Sequence, residues 1–282
     1  MRIAALALTA ALALVGCGDD DPGAGEPATA STSAPASSPT QTAVPDLGAG
    51  LVEPVELGVE VLEEHPHDPA AFTQGLVWAA PDRLYESTGR EGQSTLRLVD
   101  LLTGEVLRSV ALDDEHFGEG LELVGDRLVQ LTFTSGLALV WEEADFAEVG
   151  AFTYEGEGWG LCLLGDRLVH SDGTAILRFR DPVSFEPLDS VEVTLDSEPL
   201  GFLNELECVD GDVWANVWQT NRIVRIDPAT GLVTAVVDAS TLARPAEADV
   251  LNGIAHDPET GTFLLTGKLW PTLYRVRFVP VG

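Results

Sequence analysis

Five side chains in this chain have the right types and spacing to form a reaction centre. Gln74, Glu119, Trp159, Asn204 and Asn252 each stand directly before a short apolar strand signal, in Gln74-Gly75-Leu76, Glu119-Gly120-Leu121, Trp159-Gly160-Leu161, Asn204-Glu205-Leu206 and Asn252-Gly253-Ile254. The steps between them are 45, 40, 45 and 48 residues. If the five converge, they offer one carboxylate, three amides and an indole. A lone carboxylate in a partly desolvated mouth has its pKa raised by burial and can shuttle a proton. Glu119 is that carboxylate.

Lys268 is the second chemical signal. Fourteen of the 15 basic residues are Arg, and Lys268 is the only Lys. A compact ammonium acts as a point charge where a flat guanidinium fork would not fit. Trp159, between Gly158 and Gly160, and Trp218 offer aromatic walls that hold an amide or aliphatic group and exclude water. Phe72, Phe117 and Phe133 are further candidates for that wall.

A period of about 40–50 residues is what four strands and their turns require, so each repeat reads as one propeller blade. Five repeats predict an all-β, five-bladed β-propeller whose five marked residues meet at one mouth of the central channel. Hairpin signals follow each marked strand, as in Gly125-Asp126, Gly165-Asp166 and Gly211-Asp212. The last repeat ends after its third strand. The missing outer strand is expected from Val59–Leu62, which closes the ring from both termini and removes an open edge.

Residues 51–282 are expected to form this domain, and two segments precede it. Residues 1–17 read as a lipoprotein signal: Arg2, an apolar run from Ile3 to Val15 too short to span a bilayer, then Leu14-Val15-Gly16-Cys17, with Cys17 as the lipidated residue. Residues 18–50, rich in Ala, Ser, Thr, Pro and Asp, read as a disordered tether. The chain is then exported and lipid-anchored to the outer face of a bacterial membrane.

The formal charge of −31, from 46 acids and 15 bases, repels nucleic acid and anionic lipid and draws in cationic peptide amines. Cys162 and Cys208 occupy equivalent places on neighbouring repeats. Export would allow a disulfide between them, while two small core residues are the other reading. His65 and His67, beside Pro66, read as surface residues. No zinc spacing, Gly-x-Ser-x-Gly or phosphate loop is present. Glu119, Asn204 and Asn252 would also suit calcium as oxygen ligands.

Seven segments together resemble the plant and bacterial type of glutaminyl-peptide cyclotransferase, a five-bladed propeller family. They are Phe72–Leu76, Phe117–Leu121, Gly158–Leu161, Ser171–Gly173, Leu203–Glu207, Asn252–Ala255 and Thr266–Pro271, in order and at compatible spacing. The resemblance implies closure of an N-terminal glutamine to pyroglutamate with release of ammonia, by a monomer without cofactor. It places the catalytic Glu on Glu119 and the pocket Gln, Asn and Lys on Gln74, Asn204 and Lys268. The pocket Trp positions fall on Trp159 and Trp218. Phe133 departs from the family pattern, which has Trp there. A calcium-dependent propeller lactonase or esterase, and a non-enzymatic peptide- or glycan-binding propeller, are the alternatives. Indifference of the activity to a chelator separates the first of these from a cyclase.

Overall fold

The computed structural model describes residues 53–281. The predicted signal with Cys17 and the whole of the predicted tether lie outside these residues. No helix occurs among those described. β1 (Val55–Pro66) comes first. Three runs of four strands follow: β2 (Thr73–Ala80), β3 (Arg83–Thr88), β4 (Thr95–Asp100) and β5 (Val106–Ala111); β6 (Gly118–Val124), β7 (Arg127–Thr132), β8 (Leu137–Glu142) and β9 (Glu148–Thr153); β10 (Leu161–Leu164), β11 (Arg167–Ser171), β12 (Ile176–Arg180) and β13 (Pro187–Glu192). After a short hairpin, β14 (Thr194–Leu195) and β15 (Glu198–Pro199), come β16 (Leu203–Val209), β17 (Asp212–Val217), β18 (Arg222–Ile226) and β19 (Val233–Asp238). The last are β20 (Leu251–Asp257), β21 (Thr262–Gly267) and β22 (Thr272–Pro280).

Each run of four forms an antiparallel sheet in chain order. β20–β22 are completed by β1, which pairs antiparallel with β22, and β1 also pairs in parallel with β19. The N-terminal strand thus supplies the outer strand that the last repeat lacks. It covers what would otherwise be an open edge. The turns obey local backbone chemistry: Asp210 and Gly211 are both left-handed (φ 54° and 92°) in the two-residue link between β16 and β17.

The inner strands are buried on both faces, while β5, β9 and β13 are largely exposed, and adjacent residues on an inner strand serve different neighbours because their side chains alternate. On β2, Leu76 packs with Ala255, Leu264 and Leu273 of the last sheet, while Val77 packs with Leu121, Leu128 and Leu139 of the next. Leu168 and Val169 on β11 divide in the same way between the sheets before and after theirs. The apolar clusters therefore lie between sheets in a propeller-like cycle. The first strands close that cycle, β2 against β6 and β20, β6 against β10, and β16 against β10 and β20.

Glycine after the marked residue makes this closeness possible. A Cβ on Gly75 would lie 2.6 Å from the Leu121 nitrogen, and one on Gly120 2.7 Å from the Gly160 carbonyl carbon. The fourth sheet departs from this rule with Glu205. Its carboxylate reaches across the cycle and accepts from Leu76 N (3.2 Å) and Ile254 N (2.7 Å), on the first and last sheets.

Cys162 on β10 and Cys208 on β16 are joined by a disulfide, with Cα atoms 5.5 Å apart. His65 and His67, expected at the surface, are both buried. His65 lies within β1, paired with Leu273 of β22, and His67 just after β1 lies under the Trp270–Pro271 turn. His67 N donates to Pro271 O (2.9 Å), its ring Nδ1 donates to Trp270 O (2.6 Å), and its Nε2 lies 3.0 Å from Glu86 Oε1. The Glu86 carboxylate holds the imidazole pKa above its ordinary value against the effect of burial.

Candidate active site

The marked residues arrive at one end of the first strands. Gln74, Glu119, Asn204 and Asn252 are each the second residue of their strand, and Trp159 sits two residues before β10. An open cavity of about 700 Å³ is lined by Gln74, Glu119, Trp159 and Asn204, together with Phe72, Phe117, Phe133, Trp218 and Lys268. Nine of the ten residues expected to act in catalysis or substrate binding therefore share one cavity. Asn252 is the exception. It is fully buried behind Gln74, where its Nδ2 donates to Thr73 O (3.0 Å) and to Gln74 Oε1 (3.3 Å).

That position gives Asn252 an orienting part. A backbone carbonyl only accepts, so the Thr73 contact fixes which end of the Asn252 amide carries nitrogen. Gln74 must then turn its oxygen toward Asn252 and its nitrogen toward Glu119. Gln74 Nε2 donates to Glu119 Oε1 at 2.9 Å. This is the hydrogen bond that the Glu119 carboxyl makes among the described residues.

Glu119 is 5% exposed. Its pKa lies well above the ordinary carboxylate range, chiefly because burial penalises the charged form. Lys268 opposes that effect and Glu157 adds to it. A nearby cation would be expected to spoil Glu119 as an acid, but desolvation outweighs the cation here. Lys268 itself is held below the ordinary lysine value by burial, with Glu119 and Asp249 pulling the other way.

Lys268 is positioned by backbone. It follows β21; its N donates to Val250 O (3.0 Å) and its O accepts from Asp249 N (2.9 Å). The next residue, Leu269, is left-handed (φ 64°) and donates its N to Ala71 O (2.7 Å). The Lys268 segment is thus stitched to the lead-ins of both β20 and β2. Its Nζ lies 4.9 Å from the Phe72 ring centroid, a cation–π distance.

The aromatic wall is continuous. Successive ring centroids from Phe72 through Phe117, Phe133 and Trp159 to Trp218 are 6.1, 5.9, 6.5 and 5.5 Å apart. Phe133 is an integral member of it. Apart from Val250, the rest of the lining is polar or charged: Arg90, which lies 4.8 Å over the Phe72 ring, Glu91, Gln219 and Asp249. These four were not picked out from sequence, nor was Glu157, which accepts from Trp159 Nε1 at 2.9 Å. A signal existed for Glu157. It stands two residues before Trp159, where Phe72 and Phe117 stand relative to Gln74 and Glu119.

Among the described residues, no group of three or more His, Cys, Asp or Glu side chains is placed to hold a metal ion. The arrangement suits proton transfer at a buried carboxyl that shares an aromatic-walled cavity with a cation. Fold and site together define a propeller-like protein with a buried carboxyl and an ammonium lining one aromatic-walled cavity. The family model described as "Glutamine cyclotransferase" matches residues 28–278, and the chain belongs to that family. It is 41% identical over 226 residues to the glutaminyl-peptide cyclotransferase of Arabidopsis thaliana, covering 78% of this chain and 71% of the relative. It is also similar to the crystal structure of Myxococcus xanthus glutaminyl cyclase, with 42% identity and a TM-score of 0.76, covering 82% of this chain and all of the other.

Proposed function

We propose that this protein is a glutaminyl-peptide cyclotransferase that closes N-terminal glutamine to pyroglutamate and releases ammonia, with Glu119 moving the proton. The observation that carries this reading is the buried Glu119 carboxyl, oriented by Gln74 and facing an aromatic-walled cavity that Lys268 also lines.

The α-amine has a pKa of about 7.7–8, so a useful fraction is neutral near pH 7. Curling the side chain brings its amide carbon to the amine, and the step gains the orientation advantage of an intramolecular reaction. As the nitrogen–carbon bond forms, Glu119 takes a proton from the attacking nitrogen. It returns that proton to the departing amide nitrogen as the carbon–nitrogen bond breaks, giving ammonia. A raised pKa suits a group that must act as base and then as acid. Lys268 stabilises the oxygen charge of the tetrahedral intermediate. Asn204 and Gln74 hold the amide and backbone groups, and Trp159 and Trp218 wall the side chain.

The fold is read as a five-bladed propeller closed by β1, acting as a monomer on peptides or proteins with N-terminal glutamine. No cofactor is required. The lipobox pattern ending at Cys17 supports export and a lipid anchor on the outer face of a bacterial membrane. The Cys162–Cys208 disulfide fits the oxidising environment there. The test is ammonia release from a short Gln-initiated peptide, with and without EDTA. Release that survives EDTA is expected. No release from folded protein would sink the reading.

A further inference from the structure

Phe202 repeats the position of Phe72 and Phe117, two residues before the marked residue of its strand. Phe72 and Phe117 line the cavity, whereas Phe202 does not. Its backbone is left-handed (φ 63°), which is uncommon for a bulky residue, and its side chain is 56% exposed. The conformation is pinned: Phe202 N donates to Gly173 O and its O accepts from Trp218 N, both at 2.8 Å. The ring stands 5.9 Å from Trp218, so it extends the aromatic wall by one member beyond the cavity.

The other exposed large apolar side chains, such as Leu107, Val149 and Leu188, lie on outer strands, in turns or at the chain end. Phe202 is the one that adjoins the mouth. An exposed aromatic on a strained backbone costs stability twice over, and such strain clusters at ligand sites. We propose that Phe202 forms a subsite for an apolar side chain on the second residue of the substrate, the residue after the glutamine.

The proposal rests on the cyclase reading. With the glutamine side chain inside the cavity, the next residue must leave over the rim. At the Phe72 end of the wall the lining is charged, with Arg90 4.8 Å over the Phe72 ring and Glu91 next to it in sequence. The Trp218–Phe202 side is where a Leu or Phe side chain removes apolar surface from water. The contribution is that of an aromatic pair, roughly two- to tenfold in kcat/KM.

The experiment compares Gln-Phe-amide and Gln-Leu-amide with Gln-Gly-amide, using the full chain, its Phe202→Gly variant and its Phe202→Tyr variant. Glycine accepts the left-handed backbone without strain, so Phe202→Gly removes the ring and leaves the fold intact. The expected result is a preference for Phe and Leu over Gly that collapses toward one in Phe202→Gly and persists in Phe202→Tyr. Ammonia from all three peptides with no apolar preference, or a preference unchanged in Phe202→Gly, overturns the subsite alone. Ammonia from none of them overturns the cyclase reading and the subsite with it.

Discussion

Glu119 and Glu205 are both buried carboxyls on first strands, 5% and 1% exposed, and burial raises both pKa values well above the ordinary range. Their surroundings differ. Glu119 accepts one side-chain hydrogen bond, from Gln74, and faces the cavity. Glu205 spends each oxygen on a backbone N–H of a different sheet, Leu76 and Ile254. A raised pKa therefore does not by itself mark a reactive group. Exposure to the cavity and an uncommitted oxygen suit Glu119 to the proton transfer proposed for it, whereas complete enclosure suits Glu205 to bracing two sheets.

The largest effect that could break this contrast is on turnover. Glu119→Gln keeps the shape and removes the titratable group, so kcat should fall by about 10²- to 10⁴-fold. Stability should hold or rise, because a costly buried carboxyl is gone. Glu205→Gln should do the reverse. A Gln side chain has one acceptor oxygen, so one of the two N–H groups is orphaned, at about 1–3 kcal/mol. Urea denaturation reads that loss, and ammonia release per folded molecule should be near wild type. Equal losses of activity in both variants would erase the distinction.

Stability against pH sharpens the same point. A carboxyl with a raised folded pKa keeps its proton where the unfolded chain has lost it. Its contribution is full below the ordinary carboxylate range and fades as pH rises toward the folded value. Glu205→Gln should flatten that decline in a pH series of denaturation midpoints. Activity should run the other way on its acid limb, rising as Glu119 loses its proton. It should fall again on an alkaline limb below the ordinary lysine value, as Lys268 deprotonates.

The link between two first strands offers a structural comparison as well. The disulfide ties β10 to β16 and closes a loop with a separation of 46 residues. Replacing both cysteines with Ala should cost about 2–5 kcal/mol by chain entropy and leave the acid limb of activity in place. Thermal denaturation with and without reductant checks the first part, and the pH–rate profile the second.

The mouth was legible in sequence because its residues recur in register. A repeat period fixes both the sheet and the end of each strand, and a solitary Lys stands out against an Arg background. Glu205 carried only a faint sign, the single break in a Gly column, and its partners are backbone groups of residues 129 and 49 positions away. Sequence types do not announce such bonds. His67 was misjudged for a related reason: its cover is Trp270–Pro271, brought over it by the pairing of β1 with β22. Asn252 kept its register but not its supposed contact, because its amide is bonded to Thr73 O and Gln74 Oε1 rather than turned to the open cavity.

The smallest effect tests how Glu119 is tuned. Glu157 adds to the raised pKa of Glu119 through its charge, and its carboxylate also holds the Trp159 indole N–H. Glu157→Gln removes the charge and retains an oxygen for the indole, so the wall should stay in place. With less negative potential nearby, Glu119 should lose its proton at lower pH, and the acid limb of kcat should move down. KM should change little. A limb that stays put would mean that desolvation alone sets the Glu119 pKa. A limb that moves up would mean that the profile reports another group, and Glu119 would then lose its claim to be the proton carrier.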